Sequence, residues 1–303
     1  MSFTVNGPRF LKKLSLFFIL ALFTLACKDD QEDVPKECRL TSFVLKRART
    51  TAPLISTEDR WRLEYDKAGR VIKGYLDFHP YPGKDIFKDS LVYEGVSKLP
   101  SKIYEIRKFG HEFVNTRIWD YRYNSNNQLY ELRLYLPRGG ALVDFYIYKY
   151  FYNSSQLLSK VEKWDAYDHV LLEESTYTLD ANHNIVRIMT EYYVYDSGSK
   201  KRLSTATSSF GDYDNMKNPY YGLLLPDFVN AGLDPVTNYN LAFSPANYRK
   251  YEYLLEFADG SPSGYSSSQY SLLYNENGYP YATTSSQILQ SPDVFEYACG
   301  PGL

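Results

Sequence analysis

Chemistry in this 303-residue sequence would have to come from four histidines, three cysteines and a few closely placed carboxylates. His79, His111, His169 and His183 show no metal-ligand spacing with one another or with cysteine, and read as solvated turn or strand residues. Asp165 with Asp168, or Glu173 with Glu174, could act as the acid and base of a glycosidase, a chemistry that needs two carboxyl groups flanking a cleft. Asp212, Asp214, Asn215 and Asn218 offer oxygens for calcium. They lack the glycine and terminal glutamate of an EF-hand loop, however, and double as turn formers before Pro219. Trp119-Asp120 and Trp164-Asp165 hint at a propeller repeat but have no Gly-His partner upstream. No nucleophile elbow, zinc-protease helix or phosphate-binding loop occurs. The chain therefore reads as a non-enzyme, with no catalytic, cofactor-binding or metal-binding residue assigned.

The cysteines carry a different chemistry. Arg9, Lys12 and Lys13 precede an apolar run from Leu14 to Ala26 that ends on Cys27. A helix of those 13 residues would span about 20 Å. That is short of a hydrocarbon core of about 30 Å, so the run fits a cleaved signal, residues 1–26. Cys38 and Cys299 stand near the two ends of what remains. In an oxidising compartment they are a candidate disulfide, with two separate thiols as the alternative.

The residues Thr24-Leu25-Ala26-Cys27 resemble a bacterial lipobox, and the acidic run Lys28-Asp29-Asp30-Gln31-Glu32-Asp33 resembles the segment that follows the lipidated cysteine in surface lipoproteins of Bacteroidota-type bacteria. That resemblance implies lipidation of Cys27, a membrane partner through the N-terminal lipid, and an outer-membrane address facing the cell exterior. Residues 27–38 would be an acidic flexible tether, and the folded part would begin near Arg39.

Bulk composition narrows the class. Tyrosine supplies 31 residues against 3 methionines, a balance that favours strands and turns over helices. Formal charge is -2; without the three bases of residues 1–26 it is 31 bases against 36 acids, or -5. A mildly acidic chain lacks the basic footprint of a nucleic-acid binder, so no nucleic-acid partner is expected.

The elements that must position any site are hairpins. Tyr121 to Leu136 reads as an aromatic strand, a polar turn and a strand in which Tyr130, Leu132, Leu134 and Leu136 alternate with Glu131, Arg133 and Tyr135. The turn recurs as Tyr65-Asp66-Lys67-Ala68-Gly69-Arg70-Val71, Tyr123-Asn124-Ser125-Asn126-Asn127-Gln128-Leu129, Leu179-Asp180-Ala181-Asn182-His183-Asn184-Ile185 and Tyr274-Asn275-Glu276-Asn277-Gly278-Tyr279. Tyr152 to Leu157 reads as a version one residue shorter, and Tyr93-Glu94-Gly95 as a degenerate one. Asp or Asn at the second place can accept backbone hydrogen bonds, and Gly or Asn at the fifth tolerates the left-handed conformation. Anchors at 65, 93, 123, 152 and 179 are 28, 30, 29 and 27 residues apart. The expected fold is all-β: an antiparallel meander of about seven 28-residue hairpin units over 39–303, either barrel-like or a curled open sheet.

These turn units resemble the YD repeats of RHS-type shell proteins. The mature chain as a whole, and Tyr213-Asp214-Asn215-Met216-Lys217-Asn218-Pro219-Tyr220 most of all, resembles a Bacteroidota family of surface lipoproteins of unknown function with a porin-like antiparallel fold. Between 210 and 248 the period breaks at Pro219, Pro226, Pro235 and Pro245, which reads as an ordered excursion packed on or into the sheet. The expected role is binding or scaffolding, with a glycan or a protein as ligand. The rivals are a glycan-active enzyme and an integral outer-membrane barrel. An exposed tyrosine strip would suit a sugar; tyrosines that simply fit a pleated sheet are the plainer alternative.

Overall fold

The computed structural model describes residues 38–48, 56–78, 85–109, 112–225, 243–261, 264–285 and 294–300. Alternation of apolar and polar residues produces strands throughout. They are β1 (Cys38–Ala48), β2 (Ser56–Tyr65), β3 (Val71–Phe78), β4 (Asp85–Tyr93), β5 (Pro100–Phe109) and β6 (Glu112–Tyr123). The chain continues with β7 (Leu129–Arg138), β8 (Ala141–Tyr152), β9 (Leu158–Asp165), β10 (Leu171–Leu179) and β11 (Ile185–Asp196). It ends with β12 (Ser199–Gly211), β13 (Lys250–Phe257), β14 (Gly264–Tyr274), β15 (Pro280–Ser285) and β16 (Val294–Cys299). Each strand pairs antiparallel with its sequence neighbours, and β1 pairs with β16, so the meander closes into a barrel. The open-sheet alternative is thereby set aside.

The apolar parity points inward. Trp61 and Leu63, Trp119 and Tyr121, Leu132 and Leu134, and Tyr148 and Tyr150 are buried in one continuous core with Phe43, Ile103 and Phe295. The intervening residues face out and pair with each other: Lys73 with Glu64 at 3.0 Å, Arg122 with Glu131 at 2.8 Å, Arg133 with Glu131 at 2.7 Å, and Lys160 with Glu162 at 2.5 Å.

One device is repeated at one end of the barrel. Asp66 Oδ1 accepts hydrogen bonds from the amides of Ala68 and Arg70, and Asn124, Asn153, Asp180 and Asn275 do the same in their own turns. The fifth residue is left-handed in each: Gly69, Asn127, Gln156, His183 and Gly278. The turn after Tyr152 is therefore full length, with Gln156 in the glycine's place, rather than one residue short. Just past each turn the second strand carries a bulge, as the registers Glu64↔Lys73 and Tyr65↔Val71 illustrate. The carbonyl beside the bulge then takes a donor from the next unit. Tyr93 Oη donates to Val71 O at 2.6 Å, Tyr123 to Pro100 O at 2.9 Å, Tyr152 to Leu129 O at 2.9 Å and Tyr213 to Ile185 O. A tyrosine leads so many turns because its hydroxyl ties one hairpin to the one before it.

This register makes the unit count eight, not about seven. Tyr297 pairs with Leu40 across a bulge as Tyr65 pairs with Val71. Its hydroxyl reaches Pro280 O at 2.7 Å, and Tyr65 reaches Leu40 O at 2.6 Å. β16 and β1 are thus the two strands of one hairpin unit split between the chain ends. Cys38 and Cys299, opposite each other in register, are bonded at 2.03 Å where the turn would be.

The excursion has an equally local origin. Tyr213-Asp214 is another turn start: Met216 N donates to Asp214 Oδ1 at 3.1 Å, and Asp214 N donates to Asn247 O at 3.0 Å as Asp66 N does to Arg70 O at 2.9 Å. The segment from Lys217 to Ala246, themselves a bridge pair, is therefore an insertion into the sixth turn. Its described parts enter the lumen. Tyr220 packs edge-on against Phe43 and Phe295, Leu225 is fully buried, Leu224 O accepts from Tyr121 Oη at 2.8 Å, and Phe243 lies against Tyr150.

Two outcomes follow. Burial pushes the phenols of Tyr65, Tyr93, Tyr152 and Tyr213 up to about 12, and those of Tyr123 and Tyr297 higher still. A raised phenol pKa gives stability that is whole below the ordinary value of about 10 and is lost as pH rises from there through the folded value. Absorbance at 295 nm should show these phenols silent until about pH 12 and then ionising together with loss of the strand circular dichroism. Replacing both Cys38 and Cys299 by serine should lower unfolding free energy by about 3–5 kcal/mol in urea titration, since the bond closes a loop of nearly the whole barrel.

Candidate functional site

The lumen divides by depth. Towards the turn end it is aromatic and filled by the inserted segment. Farther from that end the inward parity carries charge: Asp89 on β4, Glu105 and Arg107 on β5, Arg117 on β6, Lys163 on β9 and Glu173 on β10. Asp89 and Arg117 are both opposite Glu105, and Lys163 is opposite Glu173 on one side and Tyr148 on the other, with the rings of Trp119 and Tyr148 as an aromatic floor beside it.

Ion pairs hold several of these groups. Arg107 and Arg117 both reach Glu105 at 3.3 Å. Lys163 donates to Glu173 Oε1 at 2.5 Å and sits 4.6 Å from the centre of the Tyr146 ring. Burial outweighs the attraction of Lys163 and raises the Glu173 carboxyl above its ordinary range, and Glu173 Oε2 has no hydrogen-bond partner. The Trp119 indole N–H is also buried without an acceptor. Arg107 and Arg117 keep about a third of their side-chain surface exposed, 35% and 37%, so solvent reaches this band. Unused donors and acceptors over an aromatic floor can bind a polar, ring-bearing ligand.

A second opening lies at the turn end. A cavity of about 420 Å³ separates the inserted segment, at Gly222 to Leu224, from the turns after β2 and β4 and the start of β1. Arg39, Arg70, Lys98 and Tyr93 line it.

The structure distributes the residues singled out from sequence. Cys27, the signal 1–26, the tether up to Glu37, His79 and His111 lie outside the described residues. His169 and His183 are exposed, left-handed turn residues. Asp165 Oδ1 accepts from the amides of Tyr167 and Asp168, which makes it a turn former. Glu173 points in, whereas Glu174 points out to Lys160 at 3.6 Å. Asp214 holds Tyr274 and the inserted turn, and Asn218 binds Ser244 O at 2.7 Å and the amide of Tyr220 at 3.0 Å. Trp119 faces the lumen, while Trp164 reaches Glu162 on the outer face at 3.0 Å. Most turn-leading tyrosines are half-buried donors, not an exposed strip.

Sequence reasoning missed the luminal band. Its signal was a charged residue on apolar parity, such as Asp89 between Phe87 and Leu91 or Lys163 after Val161.

Fold and site together define a closed antiparallel barrel with one end of its lumen stoppered and a charged, wetted band beyond. No family model matches the chain, and no curated protein does. Among solved structures it is similar to a porin-like protein from Bacteroides vulgatus, at 14% identity and a TM-score of 0.50, over 86% of this chain and 99% of that one. Another porin-like protein, from Bacteroides uniformis, is similar at 12% identity and a TM-score of 0.47, over 86% of this chain and 96% of that one. The first likeness shows the porin-like fold expected from sequence.

Replacing Lys163 by Met should cost about 3–5 kcal/mol at neutral pH, because it leaves a buried carboxylate without its partner. Since the Glu173 pKa is already raised in the fold, the variant should be most stable below the carboxylate range and weaken as pH rises through it. Adding Glu173→Leu should restore most of the loss in urea titration.

Proposed function

We propose that the protein is a cell-envelope surface protein, held to the outer membrane by lipid on Cys27, whose stoppered barrel binds or scaffolds rather than conducts or catalyses. The observation that carries this reading is the distribution of polarity. The outward face carries Glu64, Lys73, Arg122, Glu131, Arg133 and Lys160 in ion pairs, and the lumen is filled by aromatics and by the inserted sixth turn. A barrel that crosses the bilayer with its strands needs the reverse, an apolar band outside, and an arginine or lysine at mid-depth there costs about 2–4 kcal/mol. Water on both sides of the wall suits a barrel that stands on a tether.

The charged band supports a ligand with many hydroxyls, a glycan ahead of a protein, because carboxylates, arginines and a free indole N–H surround an aromatic floor. The glycan-active reading needs an acid and a base free to act. Glu105 and Glu173 are instead both bound to cations, so the proposal gives the band no catalytic role.

A protease site inserted between Lys28 and Lys36 tests the location. Cutting should release a folded barrel from washed membranes without detergent, and Cys27→Ala should abolish incorporation of labelled palmitate. A barrel that stays in the membrane fraction after complete cutting would show that its strands, not the lipid, hold it there.

A further inference from the structure

We infer that the opening at the turn end is a binding slot for a small organic phosphate. The inference deepens the binding role proposed above and rests on it, but not on the lipid anchor. The slot of about 420 Å³ is walled by the turns after β2 and β4, by Arg39 at the start of β1 and by Gly222 to Leu224 of the inserted segment. That volume suits a ligand the size of a sugar phosphate.

Charge in the slot is one-sided. Arg70 is committed: it binds Asp66 at 2.7 Å, donates to Ser97 O at 2.9 Å and lies over the Tyr93 ring at 4.6 Å, so it clamps two turns together. Arg39 and Lys98 are not committed. Neither has a carboxylate partner among the described residues, and Arg39 lies over the face of the Tyr65 ring at 5.9 Å. Its guanidinium is held against the backbone of Gly69, where an added Cβ would come within 2.6 Å of Nη2. The absence of a side chain at Gly69, already required by φ +78°, lets the cation reach the slot.

Three cations around one opening, one of them neutralised by Asp66, leave about two positive charges for an incoming group. A phosphomonoester matches them, with a charge near -2 at neutral pH and three acceptor oxygens suited to a guanidinium fork. Leu91, Pro100, Leu223 and Leu224 also line the slot, with the Tyr93 ring under Arg70, and offer apolar surface to the organic part. A soluble sugar phosphate and the phosphate-bearing headgroup of a lipid present the same chemistry.

The test is isothermal titration of the purified full chain in nonionic detergent at low ionic strength. The ligands are inorganic phosphate, glucose 1-phosphate, dihexanoyl phosphatidic acid and plain glucose. One-to-one binding of glucose 1-phosphate, of the phosphatidic acid or of both, with none of glucose, is expected, and which of the two binds names the source. Arg39→Gln and Lys98→Gln should each weaken it about tenfold. Lys98 is exposed on the rim, so its variant reports on binding without risk to folding. Three results would overturn the inference: saturation by neither organic phosphate, binding of inorganic phosphate alone, or an affinity that neither variant changes. None of these would bear on the palmitate and release experiments, which test the anchor separately.

Discussion

A meander of this length depends on tying each bend to the next, and the bond that does so is a tyrosine hydroxyl on a neighbouring unit's carbonyl. Bulges beside the turns disturb the strand ladder, and a buried carbonyl without a donor costs about 1–3 kcal/mol. The turn-leading tyrosine of the following hairpin supplies the donor at Leu40, Val71, Pro100, Leu129, Ile185 and Pro280. The fifth unit has Leu179 at that place and keeps the turn without the hydroxyl, so the turn geometry is independent of the tie. Because the ring of ties runs through the unit split between β1 and β16, the disulfide there acts as an eighth turn.

The polarity of the wall follows from what fills the barrel. Sixteen strands enclose more room than wall side chains alone can fill. Here Trp119, Tyr121, Tyr148 and Tyr150 reach inward, and the inserted segment adds Tyr220, Leu225 and Phe243. With the apolar parity spent on the interior, the other parity is left for charged pairs facing water. Individually such exposed pairs contribute little, about 0–1 kcal/mol.

Both openings proposed to bind ligands exist because the repeat is broken. The slot lies between ordinary turns and the one turn that was expanded. The luminal band lies where inward positions depart from the apolar rule, so its groups are buried and must pair or await a ligand. Lys163 with Glu173 shows the tension: the pair is made, yet one carboxylate oxygen is left without a hydrogen.

Local chemistry was legible from the residues alone. The second-place Asp or Asn, the left-handed fifth place and the parity of the strands are effects of neighbours within a few positions, and Asp66, Gly69 and Trp61 behave as their types and spacing require. What needed the tertiary structure were relations across the sheet. That Tyr297 and Leu40 belong to one unit is a consequence of closure, and that Lys217 and Ala246 bridge within one turn and Arg39 meets Gly69, 30 residues on, are contacts no local pattern announces. Period-two alternation says which residues share a face; only a closed wall decides that the face is the inside, because inside and outside exist only once the first strand has met the last.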